Sequence, residues 1–164
     1  MKRVGRALFS LWCAGAILAV ACGAAGKPNP SASPSPSPAP SGPRVAMPSG
    51  ATYQVELART PEDQAQGLMF RESLRKNTGM LFLFPQKGVH KFWMKNTMIP
   101  LDMIWMDSDG KVLFVSANTP PCKADPCADY GPEGPASSVL EIAGGMAAKE
   151  AVRPGVLLKF IDVR

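Results

Sequence analysis

Lys95, Asn96, Thr97 and Asp102 place an amine, an amide, a hydroxyl and a carboxylate within eight positions of one another. Such a set on one loop could bind a polar ligand or hold a general base, so these four are the ligand-binding candidates. The same residue types also satisfy backbone groups between strands, and Asp102 stands where it could cap the loop. On this reading Asp102 serves the loop, and the long cationic chain of Lys95 reaches the ligand. His90 is the only histidine. An imidazole titrates near neutral pH or ligates metal, but no second His, Ser-His-Asp set or HExxH motif accompanies it. A hydrolase-like centre would have to use Asp102, assisted by Lys95, Asn96 or His90.

Two further residue types could carry chemistry. Met69, Met80, Met94, Met98, Met103, Met106 and Met146 offer thioethers. Thioethers bind soft copper, yet methionine also fills irregular cores. Packing is the expected use here, because Met80 and Met94 stand beside Phe82 and Trp93. Cys122 and Cys127 enclose four residues. In an exported chain that spacing favours a local disulfide, and zinc would need two more ligands from His90 and carboxylates. No metal site and no cofactor are expected.

The N-terminus reads as an address. Lys2, Arg3 and Arg6 precede an apolar run from Ala7 to Ala21, and Ala19-Val20-Ala21 stands before Cys22. About 15 apolar residues are too few to span a bilayer comfortably, so residues 1–21 are expected to be a secretory signal peptide. The same segment resembles a bacterial lipobox, although Leu18 lies one position further from the Cys than usual. Cys13 would leave with the signal peptide and Cys122 can pair with Cys127. An unmodified Cys22 would then be an odd thiol, which lipidation removes. Eight of the 17 prolines fall between Pro28 and Pro48, so residues 22–48 read as a Pro/Ser-rich tether. The expected location is the cell envelope, membrane-anchored and facing the periplasm or exterior.

Charge points the same way. The first 44 residues hold five basic residues and no acid, which is the whole formal charge of +5. The rest is balanced, so no nucleic-acid partner is indicated. The expected partners are the membrane, through the lipid, and a small polar ligand or an envelope protein.

The elements that must position these residues lie in 49–164, where no internal repeat occurs. Thr52–Ala58 alternates in polarity, which predicts a half-buried strand. Thr60, Pro61 and Asp63 form a helix start, and Gly67 weakens the helix that follows. Further strands are expected at Met80–Phe84, ended by Pro85, and at His90–Met94, Leu101–Met106, Lys111–Ser116, Ser138–Ile142 and Val156–Val163. Asp107-Ser108-Asp109-Gly110 predicts a tight hairpin turn. Asn118–Ala136 reads as a Pro-rich loop, and Gly144–Val152 as a short helix. Seven short strands and one or two short helices make the fold mainly β: a single domain with a sandwich or barrel-like sheet.

Several of these segments also form an ordered set. Gly67-Leu68-Met69-Phe70-Arg71 comes first, followed by Gly79-Met80-Leu81-Phe82 and by FWMKNTMIPLD at residues 92–102. Tyr130 and Val139-Leu140-Glu141-Ile142-Ala143-Gly144-Gly145 come last. This set resembles domain-of-unknown-function family 192, from about Thr52 to Phe160. The resemblance implies a mainly β single domain, often secreted, with no established activity, cofactor or substrate. Together these readings point to an exported, lipid-anchored binding or accessory module.

Overall fold

The computed structural model describes residues 41–163. The signal peptide, Cys22 and most of the tether lie outside the described residues. Nine strands and two short helices are described: β1 (Arg44–Ala46), β2 (Thr52–Ala58), α1 (Pro61–Gln66), β3 (Thr78–Gly88), β4 (Phe92–Trp93), β5 (Leu101–Met106), β6 (Val112–Thr119), β7 (Asp129–Tyr130), β8 (Ala136–Ala143), α2 (Met146–Lys149) and β9 (Lys159–Ile161). Seven strands form one curled sheet in the order β6-β5-β8-β3-β2-β1-β9, and β4 pairs with β7. Only β2 and β3 run parallel, and α1 lies in the connection between them.

β2 and β5 have the expected boundaries, because alternation and an unbroken apolar run are local signals. Thr60 caps α1 as expected, accepting from the Asp63 amide at 3.1 Å, with Pro61 opening the helix. Asp107 Oδ1 accepts from the amides of Asp109 and Lys111 and closes the β5–β6 turn. Gly110 is required there: its φ is +84°, and a Cβ would lie 2.4 Å from the Leu158 carbonyl oxygen.

The sheet begins with β1 at Arg44, because β1 pairs with β2 and β9 and buries Val45 completely. Several strand expectations are corrected. β3 continues past Pro85 to Gly88, where a register irregularity between Leu83 and Gly88 spares the ladder the missing proline N–H. The Pro-rich loop contains β7, whose two residues are too short for any periodic signal. The last strand is also shorter than expected, at three residues.

β8 lies between β3 and β5, and both faces of this central ladder are buried. Leu81, Ile104, Leu140 and Ile142 belong to one apolar cluster, with Val45, Tyr53 and Val55. Met80, Phe82, Met103, Trp105 and Val139 belong to the other. The side-chain period of two places Glu141 on the second face, and its register partners are Met80 on β3 and Met103 on β5. An acid has thus been built into an otherwise apolar row.

Candidate functional site

Of the four polar candidates, Asp102 lies deepest. It is fully buried on the first face, beneath α2. Its Oδ1 accepts from the amides of Asn118 at 2.6 Å and Gly145 at 2.9 Å, and Oδ2 accepts from the Ala147 amide at 2.5 Å. Gly145, the residue before α2, brings no side-chain cap of its own. Asp102 reaches from β5 and satisfies the orphan donors of the helix start. Glu150 at the other end of α2 accepts from the Tyr53 hydroxyl at 3.0 Å and from Ser49. These bonds bind α2 to the sheet.

Lys95, Asn96 and Thr97 sit in a turn on the opposite side. Lys95 Nζ pairs with Asp125 at 3.1 Å and lies 5.7 Å from the Trp93 ring centroid. Both partners are well exposed, so Lys95→Ala is expected to cost no more than about 1 kcal/mol in a urea melt. Asn96 adopts φ +56°, and its carbonyl accepts from the Phe70 amide at 2.8 Å. Phe70 itself has φ +62° and an exposed ring. Arg71 grips the Glu56 carboxylate with two bonds of 2.5 and 2.7 Å. The GLMFR and KNT segments are thereby clasped together through backbone.

Beside this clasp opens a cleft of about 430 Å³. The segment from Gln64 to Met69 forms one wall. Phe82, Phe84, Phe92 and Trp93 supply aromatic surface, and His90, Thr97 and Glu141 also line it. Gly67 matters to its shape: φ is +50°, and a Cβ there would meet Phe82 at 3.2 Å and Glu141 Oε2 at 3.9 Å. Gln64 holds this wall in place by donating to the Leu83 carbonyl at 3.0 Å. Of the four candidates, only Thr97 faces the cleft.

Glu141 is the unusual group. It is 5% exposed, and its Oε2 is buried without a hydrogen-bond partner. Burial among Met80, Met103 and the aromatic walls disfavours the charged form and pushes its carboxyl up to about 8. His90 is the second such group. Its ring stacks on Phe84 with centroids 3.5 Å apart, and the Trp105 indole N–H donates to its carbonyl at 2.8 Å. Burial lowers its pKa, opposed by a bond to the Gln86 backbone, and Nε2 is buried without a partner.

Glu141 is not legible as a site residue in the sequence. Its signal was present as the single charge within Val139–Ala143, but only a buried second face makes that charge unusual. The methionines give no surface cluster: Met80, Met94, Met103 and Met106 are core, while Met98 is exposed. Among the described residues, no group of three or more His, Cys, Asp or Glu could hold a metal ion.

Cys122 and Cys127 are bonded, with sulfurs 2.07 Å apart. The loop they close backs the cleft wall: the Cys122 amide donates to the Met94 carbonyl at 3.1 Å, and β7 pairs with β4. Replacing both cysteines with Ser is expected to cost about 2 kcal/mol, since the closed loop is short. Failure to fold would show that this loop nucleates more than the wall.

Two solved structures resemble the chain. A protein of unknown function from Novosphingobium aromaticivorans is 40% identical, covers 71% of this chain and 82% of its own, and superposes with a TM-score of 0.65. A Sinorhizobium meliloti protein, provisionally described as a transcription regulator, is 36% identical over 72% of this chain and 91% of its own, with a TM-score of 0.63. No curated protein matches. The family model of DUF192, described as "Uncharacterized ACR", matches residues 44–160, which is the whole sheet from β1 into β9. The chain belongs to this family of uncharacterised conserved proteins.

Proposed function

We propose that this protein is a ligand-binding module whose cleft takes a small, largely apolar molecule and reads one polar group of it through Glu141. The observation that carries the reading is the Glu141 carboxyl, buried and unpartnered at the cleft. Leaving such an atom unpaired costs roughly 1 to 3 kcal/mol, and a ligand that pairs it recovers part of that cost. Volume and lining also suit a small-molecule site, with apolar walls and few convergent polar groups. The same proposal places the domain in the cell envelope, exported by residues 1–21 and held to the membrane through lipidated Cys22.

The hydrolase-like alternative built on Asp102 has less support. Three backbone donors engage its carboxylate, and the sheet separates it from His90. The transcription-regulator description is not carried over, because the domain is charge-balanced and presents no basic surplus for phosphates.

A thermal-shift screen of small molecules on the full chain tests the reading. A ligand at 100 times its Kd stabilises by about 2.7 kcal/mol. Hits that disappear in Glu141→Gln support it. A set of hits indifferent to that substitution would place recognition elsewhere.

A further inference from the structure

The orphaned carboxyl oxygen at the cleft narrows the ligand class, given the ligand-binding reading above: Glu141 Oε2 is an acceptor whenever the carboxyl is ionised. Among the described residues, the other buried side-chain polar atoms without a partner are His90 Nε2, which lies beside Gly88, and Ser138 Oγ, whose residue does not line the cleft. The cations near the cleft are already engaged: Lys91 with Glu133 at 2.6 Å and with the Gly131 carbonyl, Lys95 with Asp125, and Arg71 with Glu56. An anionic ligand would thus meet the Glu141 carboxyl, and Lys91, the cation that lines the cleft, already has partners. The walls supply Phe82, Phe84, Phe92 and Trp93, whose ring faces favour a positive charge.

We propose that the cleft binds a primary organic ammonium ion, with an N–H group donated to Glu141 and an apolar body against the aromatic walls. Binding is then an exchange of cations at Glu141. The acid O–H bond breaks, its proton goes to solvent, and the ligand ammonium stays charged beside the new carboxylate. A carboxyl held near 8 makes this exchange accessible at neutral pH, because ionising it there requires little energy. The groups around Glu141 do not compete for the charge. Its neighbours on β3 and β5 are Met80 and Met103, Gly67 and Leu68 cover it, and the only other titratable residues lining the cleft are His90 and Lys91.

The test uses three matched probes on the full chain: 2-phenylethylamine, 2-phenylethanol and phenylacetate, measured by titration calorimetry at about pH 7 in buffers of different ionisation enthalpy. The amine is expected to bind at least about tenfold more tightly than the alcohol or the acid, and to release close to one proton. Its affinity should rise about tenfold per pH unit below about pH 8 and then level off. Glu141→Gln should weaken the amine at least about tenfold. The proton release is read on the unsubstituted protein, so it stands even if that variant folds poorly. Amine binding without proton release would overturn the proposal. So would equal or tighter binding of the alcohol or acid; if Glu141→Gln abolished that binding, the ligand-binding reading would survive and only the ammonium assignment would fall. If none of the three binds, the assignment falls, and the broader screen alone decides the ligand-binding reading.

Discussion

Glu141→Gln is expected to remove a large loss of stability that accompanies rising pH between about pH 4.5 and 8. The native carboxyl keeps its proton up to about 8, whereas the unfolded chain loses it near the ordinary value of 4.5. Between those values the native state binds more protons than the unfolded state, so raising the pH removes stability. Below the lower value both states are protonated and Glu141 contributes no slope. At about 1.4 kcal/mol per pH unit, the whole window amounts to roughly 5 kcal/mol as an upper bound, which relaxation around the ionised group reduces. The glutamine variant cannot ionise. It should match the parent near the acid end and exceed its stability by several kcal/mol at the alkaline end. Urea melts of both proteins across this range decide the matter, and taking their difference cancels the titration of His90 and of other groups. Parallel pH profiles would mean that Glu141 is not desolvated in solution.

Asp102→Ala should be among the most destabilising single substitutions, with a loss of about 3 to 5 kcal/mol. It removes an acceptor from three backbone amides at once, and the Ala147 donor is buried. Asp102→Asn keeps one oxygen but turns an amide nitrogen toward a donor, so it should recover only part of the loss. The expected signature is a lowered urea midpoint with ligand binding retained in the remaining folded protein. A stable Asp102→Ala protein that no longer functions in complementation would return Asp102 to the centre of the chemistry.

These two acids show where sequence reasoning succeeds and where it stops. In sequence Asp102 stands close to Lys95, Asn96 and Thr97. The fold separates them, because β5 turns Asp102 to the face covered by α2 while the turn at 95–97 lies on the other side. Its structural partners, Asn118, Gly145 and Ala147, are remote in sequence. Nothing local announces that their amides converge. The Lys95 ammonium lies against Asp125, across a disulfide loop whose path depends on β7 pairing with β4. Strands of two and three residues such as β7 and β1 leave no periodicity to read; they exist because a neighbouring strand offers them hydrogen bonds.

What the sequence determined by itself is what local physics controls. The alternation of Thr52–Ala58, the apolar run of Leu101–Met106, the Thr60-Pro61 helix start and the Asp107–Gly110 turn each follow from residue size, polarity and backbone preference within a few positions. Together with the motif set they determined the mainly β class and the family. The tertiary structure alone decided which face of β8 is covered, and so whether Glu141 would be a solvated acid or a buried one. The alternation of side chains along a strand assigns residues to two faces, but burial of a face depends on what the rest of the chain lays over it. Here the GLMFR segment and the residues around β4 close over Glu141 and leave a cleft above it. Desolvation by those distant elements, and no property of the VLEIA segment, turned an ordinary glutamate into a chemically distinctive one.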